Sequence, residues 1–187
     1  MQRVVTMTLG LVVFAAVLAP STAFSQAQNE ATIVSSEEIQ TVVSQPGGGD
    51  REIKILDMGK FNLGVAVLRR GATKPGGPIG VINHAKLTEV YYVTSGEGTI
   101  VTGSDIENVR PLAADNELVT TVVGPGSNAT LKKAAQSRKV KAGDVIIIPA
   151  GLYHGFSEVP DHIEYVLIRP DVEKVLPAGY VNPAVKK

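Results

Sequence analysis

From residue 51 onward the chain is dominated by short apolar runs of period two, punctuated by glycine and proline. Ile53 and Ile55 alternate with charged or polar neighbours. Phe61, Leu63, Val65 and Val67 line one face of a longer strand that Arg69-Arg70-Gly71 closes. Alternation of this kind marks β-structure with one face covered. Val90 to Thr94 predicts a further strand, Ser95 to Gly98 a turn, and Thr99 to Thr102 its hairpin partner. Leu118 to Val123 predicts an extra strand between two loops, and Ser137 to Val140 leads into the turn at Gly143. Val145 to Ile148 is β-branched, continuous and too short for a helix, which predicts a strand buried on both faces. Pro149 ends its pairing, Gly151 permits a tight turn, and His154 opens the next strand. Ile163 to Arg169 is the last strand, stopped by Pro170. Many short strands with turn signals at fairly regular intervals argue an all-β domain, sandwich or barrel.

The flanks read differently. Ser35-Ser36-Glu37-Glu38 is a capping-box start, and Ile39, Val42 and Val43 form one stripe, so a short helix is predicted, with a β-arm as the alternative. Gln45-Pro46-Gly47-Gly48-Gly49 breaks the chain after it. No Lys-Ser/Thr and no helix follow these glycines, so they are not a phosphate loop. At the start, one arginine precedes an apolar run from Val4 to Leu18, then Pro20 and small residues. This is the pattern of a secretory leader, with cleavage expected after Ser25 or Ala27. The run is shorter than the ~20 residues a membrane span needs. The expected organisation is therefore a leader over 1–25, an N-terminal arm over 26–50, a barrel over 51–172 and an extended tail over 173–187. Such a tail packs on the barrel or on a second subunit.

Composition narrows the chemistry. The chain has 187 residues, no cysteine and no tryptophan, with 18 basic residues against 18 acidic ones. Without thiols there is no disulfide, no cysteine nucleophile and no thiolate metal site, so an exported form must rely on its apolar core. No basic stripe marks a nucleic-acid partner, and nothing argues for a membrane surface once the leader is removed.

Two segments carry the chemistry. Gly143, Pro149, Gly151 and His154 have the spacing G-x5-P-x-G-x2-H, and upstream lie Gly76, His84, Glu89 and Gly96. Together these resemble the paired motifs of the cupin superfamily, over roughly Phe61 to Pro170. The family's first motif carries an earlier histidine, whose slot falls here on Ile82, and Glu158 stands where an asparagine is common. The resemblance implies a single small jelly-roll barrel with a lumen for side chains or one small ligand. It also implies one divalent metal ion held by His84, Glu89 and His154, and a homodimer as an expected assembly.

Alternation agrees with that set: Ile82 and His84 share one face, as do Glu89, Tyr91 and Val93, while Asn83 faces outward. Two imidazoles and a carboxylate with open positions suit Fe(II), Zn(II) or Mn(II) equally. Tyr91 and Tyr153 are the candidate catalytic proton donors, with barrel packing as the alternative for each. Phe156 is read as pocket wall and His162 as a loop or strand-edge residue. Arg69 and Arg169 end strands and are read as exposed, with capture of a substrate carboxylate or phosphate as the alternative. The functional expectation is a secreted or periplasmic, metal-dependent enzyme acting on a small polar or carboxylated molecule. Oxygenase chemistry is preferred over isomerase or lyase chemistry; the alternative is a non-catalytic small-ligand-binding protein.

Overall fold

A single 14-residue strand, β4 (Glu89–Thr102), organises the molecule. Its first half pairs with β10 (His162–Asp171) on one side and β8 (Val145–Ile148) on the other, and its second half with β7 (Gln136–Lys141) and β9 (His154–Glu158). Gly96 lies at the changeover with φ 72°, and a Cβ there would sit 2.0 Å from the carbonyl oxygen of His162. Only glycine permits that bend and that approach. Two antiparallel sheets result. One runs β1-β2-β10-β4-β8, with β1 (Gly49–Asp57) and β2 (Asn62–Gly71). The other runs β7-β4-β9-β3-β6-β5, with β3 (Ile79–His84), β5 (Asp105–Pro111) and β6 (Gly126–Lys133). The computed structural model describes residues 30–73 and 76–186, so the leader expectation lies outside the described residues.

The main core fills the space between the sheets. Ala66, Leu68, Tyr91, Val93, Ile148, Ile163, Tyr165 and Leu167 are buried there. On β2 the inward positions are therefore Gly64, Ala66, Leu68 and Arg70. The face carrying Val67 lies instead under helix α1 (Ser36–Val43). That helix starts as its sequence predicts: Ser35 Oγ accepts from the Glu38 amide, and Glu38 accepts from the Ser35 amide. Val42 is its buried anchor, against Ile53 and Val67. A β-bulge at Ile53 sits between Glu52 and Lys54. The extra residue lets Ile53 pack under the helix while its neighbour Glu52 turns into the interior. The C-terminal tail runs back along β1: Asn182 donates to the Glu52 carbonyl (2.8 Å), and Gly179 to that of Ile55 (2.8 Å).

Three expected elements are corrected. Val90 to Thr94 and Thr99 to Thr102 are not hairpin partners about a turn at Ser95 to Gly98: they are the two halves of the one strand β4, which bends at Gly96 and carries on into the second sheet. Leu118 to Val123 is not a strand; Val119–Val123 form a π-helical turn. Asn116 starts it, its side chain accepting from the Leu118 amide (2.8 Å) and its carbonyl from the Thr120 amide (3.0 Å). Val119, Val122 and Val123 then bury together, so local capping and packing override the β-branched preference. Strand β8 is not buried on both faces either. Val145 and Ile147 are 60% and 69% exposed beside exposed Tyr92, because among the described residues no second layer covers that face of the sheet.

Candidate metal centre

His84 is the last residue of β3 and Glu89 the first of β4. The connection between them is short and pinned by buried Leu87. His154 opens β9 after the turn at Gly151, whose amide donates to the His84 carbonyl (2.8 Å) and whose φ is 81°. Pairing then closes the triangle: Ile82 lies opposite His154, and Glu89 opposite Ile148 at the end of the strand leading to that turn. The ligand atoms of His84, Glu89 and His154 all fall within 4.8 Å of one another, and all three residues are buried.

Their hydrogen bonds decide how they are presented. His84 Nδ1 bonds the Val123 carbonyl (3.0 Å), and His154 Nδ1 bonds the Leu152 carbonyl (2.9 Å). A carbonyl oxygen only accepts, so each Nδ1 must carry the proton and donate it. In the neutral ring both Nε2 atoms are then bare, and they lie 3.3 and 3.2 Å from the same oxygen, Glu89 Oε2. The other Glu89 oxygen, Oε1, accepts from Arg169 Nε (2.9 Å) and Nη2 (2.8 Å). Three acceptor atoms thus converge. The hydroxyl proton nearest them is that of Tyr91, whose Oη lies 2.8 Å from Glu89 Oε2 and 3.1 Å from His154 Nε2. Metal-binding histidines and carboxylates are oriented by such outer donors and acceptors, and this donor set fits a divalent ion.

Arg169 is the residue that sequence reasoning placed wrongly. It is not an exposed strand end: it is fully buried and engages Glu89, Glu52 (3.1 Å) and Asp50. Burial opposes its charge, but its acidic partners, Asp50 first and then Glu89, outweigh that and hold it protonated. Burial likewise opposes ionisation of Glu89, yet the Arg169 guanidinium on its Oε1 outweighs that and holds the carboxyl well below the usual carboxylate range. Glu52 goes the other way: burial outweighs Arg169, and its carboxyl is pushed up to about 8. Among the described residues its Oε1 has no hydrogen-bond partner. The native state therefore keeps a proton on Glu52 that the unfolded chain, with its ordinary value near 4.5, releases. Stability from this group is full below about pH 4.5 and is lost as pH rises through about 8, at about 1 kcal/mol per pH unit in between. Glu89 acts oppositely, losing stability as pH falls below about 4.5. Glu52→Gln, which mimics the protonated acid, is expected to flatten the decline between about pH 5 and about pH 8. Urea denaturation across that range checks it; an unchanged slope contradicts the assignment.

A cleft of about 640 Å³ opens onto the centre, lined among others by Ile82, His84, Tyr91, His154, Phe156 and Arg70. Tyr91 is buried, and burial together with Glu89 raises its hydroxyl well above its usual range, so it stays a proton donor. Its ring stacks on Tyr165 at 4.5 Å, which in turn stacks on Phe156 at 5.9 Å. The structure does not bring Tyr153 to the centre. Its hydroxyl meets Ser127 Oγ at 2.5 Å, and its ring packs with Val81, Val101, Ala129 and Leu131 on the far face of the second sheet. Alternation, which turns Asn83 outward, does the same to the neighbour of His154. Arg69 is exposed and paired with Glu164 (3.3 Å). His162 sits at a strand edge between Asp161 (2.6 Å) and Ser95 (3.2 Å). Neither reaches the centre. Asp50, Glu52, Arg70 and the Val123 carbonyl were not anticipated at all.

The family model described as Cupin matches residues 35–172. The chain belongs to the cupin family. A double-stranded β-helix protein from Klebsiella pneumoniae is 18% identical, covering 76% of this chain and 91% of its own, with TM-score 0.41. A Bacillus halodurans protein is also 18% identical (83% and 91% covered, TM-score 0.43). A DMSP lyase from Ruegeria pomeroyi is 12% identical (75% and 54% covered, TM-score 0.40), so the chain spans about half of that enzyme's length. Comparison with curated protein sequences finds no match. The all-β jelly-roll expectation is borne out, and cupins commonly bind a metal at residues such as this His-Glu-His group.

Proposed function

We propose that this cupin is a metal-dependent enzyme for a small polar or carboxylated molecule, with His84, Glu89 and His154 holding one divalent ion. The observation that carries this is the convergence of two bare Nε2 atoms and Glu89 Oε2, each fixed from behind by a partner that cannot serve the front. Protonating an imidazole would also relieve the cluster, and metal analysis separates the two. When bound, the ion supplies Lewis acidity, or redox chemistry if it is iron. The chain itself does the rest. Arg169 keeps Glu89 ionised and aimed. The Val123 and Leu152 carbonyls keep both imidazoles in the metal-binding tautomer. Tyr91 holds a proton at Oη beside Glu89 and His154, where a substrate oxygen or carbon in the cleft can receive it. Ile82, Leu68 and Phe156 give the cleft apolar walls.

A two-histidine, one-carboxylate set favours oxygenase chemistry over isomerisation or lysis. Fold alone does not choose among reactions. The proposal includes export, supported by the leader-like run from Val4 to Leu18. Turnover of small carboxylic and hydroxy acids by iron-loaded protein, lost on chelation and in Tyr91→Phe, tests the enzymatic reading. Ligand binding without turnover would favour the second reading, a binding protein. Ile82 favours that alternative, because an isoleucine fills the slot of the family's first histidine. Ile82 lines the cleft on the face of His84 and opposite His154. Ile82→His is accordingly expected to tighten metal binding roughly tenfold or more by adding a fourth donor. Competition against a chromophoric chelator measures it, and unchanged affinity means that position 82 does not face the ion.

A further inference from the structure

Arg70 stands apart from the other two arginines near the cleft. Arg69 is paired with Glu164, and Arg169 with three carboxylates. Among the described residues, no carboxylate forms an ion pair with Arg70. Its one hydrogen bond is from Nε to Tyr165 Oη (3.0 Å), and its guanidinium lies over the Phe156 ring at 5.6 Å. Tyr165 is a neutral partner, since burial pushes its hydroxyl up to about 12 despite the nearby cation. Asp50 also lines the cleft, but Arg169 engages it.

The side chain is therefore held at one edge and on one face, and among the described residues its two Nη groups have no protein partner; the cleft it lines is the one that opens onto the centre. A half-buried guanidinium is costly without an anion unless it is exposed to water or ligand. Its planar fork matches a carboxylate in a bidentate pair.

We propose that Arg70 anchors a substrate carboxylate, so that the ligand is a short dicarboxylic acid or an oxo or hydroxy derivative of one. This rests on reading the cleft as a metal-dependent substrate site. One carboxylate, with or without an adjacent oxygen, faces His84, Glu89 and His154. The second reaches Arg70 along the wall formed by Tyr91 and Phe156, with Tyr165 stacked behind them. Between them Ile82 and Leu68 offer only apolar surface, which suits an aliphatic spacer and disfavours a chain of hydroxyls. The anchor also fixes which end of the molecule meets Tyr91 Oη.

Calorimetric titration of malonate, succinate and glutarate against propionate, butyrate and valerate tests this, on zinc-loaded and metal-free protein. In the wild type at least one diacid is expected to bind about 10- to 100-fold tighter than its monoacid partner, the size of a charge-assisted pair. In Arg70→Gln that preference is expected to vanish while zinc stoichiometry is unchanged. Arg70→Leu, which keeps apolar contact with Phe156, gives the same reading should the glutamine variant fold poorly. A wild type with no diacid preference, or a preference that survives in the folded variant, overturns the proposal. The metal reading is scored separately, by zinc-loaded against metal-free protein. An Arg70-dependent preference without any zinc effect keeps the anchor and removes the metal site. A zinc effect without the preference does the reverse.

Discussion

Arg169→Met is expected to destabilise the fold by about 3–5 kcal/mol near neutral pH, the usual loss when one partner of a buried ionic group is removed. The reason is local. Arg169 is fully buried and is the cation that engages Asp50, Glu52 and Glu89, contributed by two other strands. Without it, Asp50 and Glu89 are left in the interior beside Glu52, whose carboxyl already favours the protonated form. The deficit should shrink as pH falls toward about 5, because protonating the stranded acids removes their charge. Urea midpoints measured against pH check both parts. The same variant should lose metal affinity about 10- to 100-fold, since Glu89 Oε1 no longer has the donors that aim it. A stable Arg169→Met with unchanged metal binding would show that the guanidinium neither neutralises nor orients.

His154→Ala is expected to act at the centre and leave the fold largely intact. The substitution deletes one of the converging ring nitrogens and leaves the Arg169 network untouched. Metal affinity should fall by at least about 100-fold, more than an outer partner costs, while the metal-free protein loses about 1 kcal/mol. Tyr153→Phe is the matched comparison. Tyr153 is the immediate neighbour of His154, yet its hydroxyl bonds Ser127 on the far face of the sheet, so its loss should leave metal affinity unchanged. Isothermal titration of the three proteins with zinc separates the outcomes. Equal affinities in wild type and His154→Ala would remove that imidazole from the site.

What could be read from the sequence was whatever local geometry dictates. Fixed spacings around Gly143, Pro149 and Gly151 place one histidine after a tight turn, and period-two alternation puts His84 on the face of Ile82. The residues of the triangle themselves were named by the resemblance of these spacings to the paired cupin motifs, with which the alternation agrees. The capping box of α1 was legible for the same reason, since its bonds join residues three apart. The network behind the triangle was not. Glu52 and Arg169 are separated by 117 positions, and each sits in a stretch where charge normally means solvent. Only the bulge at Ile53 turns Glu52 inward, and a bulge leaves no clear pattern in a single sequence. The Val123 carbonyl was hidden for a different reason: a backbone group carries no residue signature, and the β-branched run around it reads as a strand. Arg70 was not legible because Leu63, Val65 and Val67 make the opposite face of β2 the more apolar one, whereas the inward face carries the small residues Gly64 and Ala66 beside Leu68. Val145 and Ile147 misled in the opposite sense, as apolar residues on an uncovered face.

The centre itself is tested most directly by anomalous diffraction from crystals of protein purified without chelators or affinity tags. A single strong peak bounded by His84 Nε2, Glu89 Oε2 and His154 Nε2 is the expected result. Flat density there, with the imidazoles hydrogen-bonded straight to Glu89 as in an ordinary buried ion pair, would contradict the account.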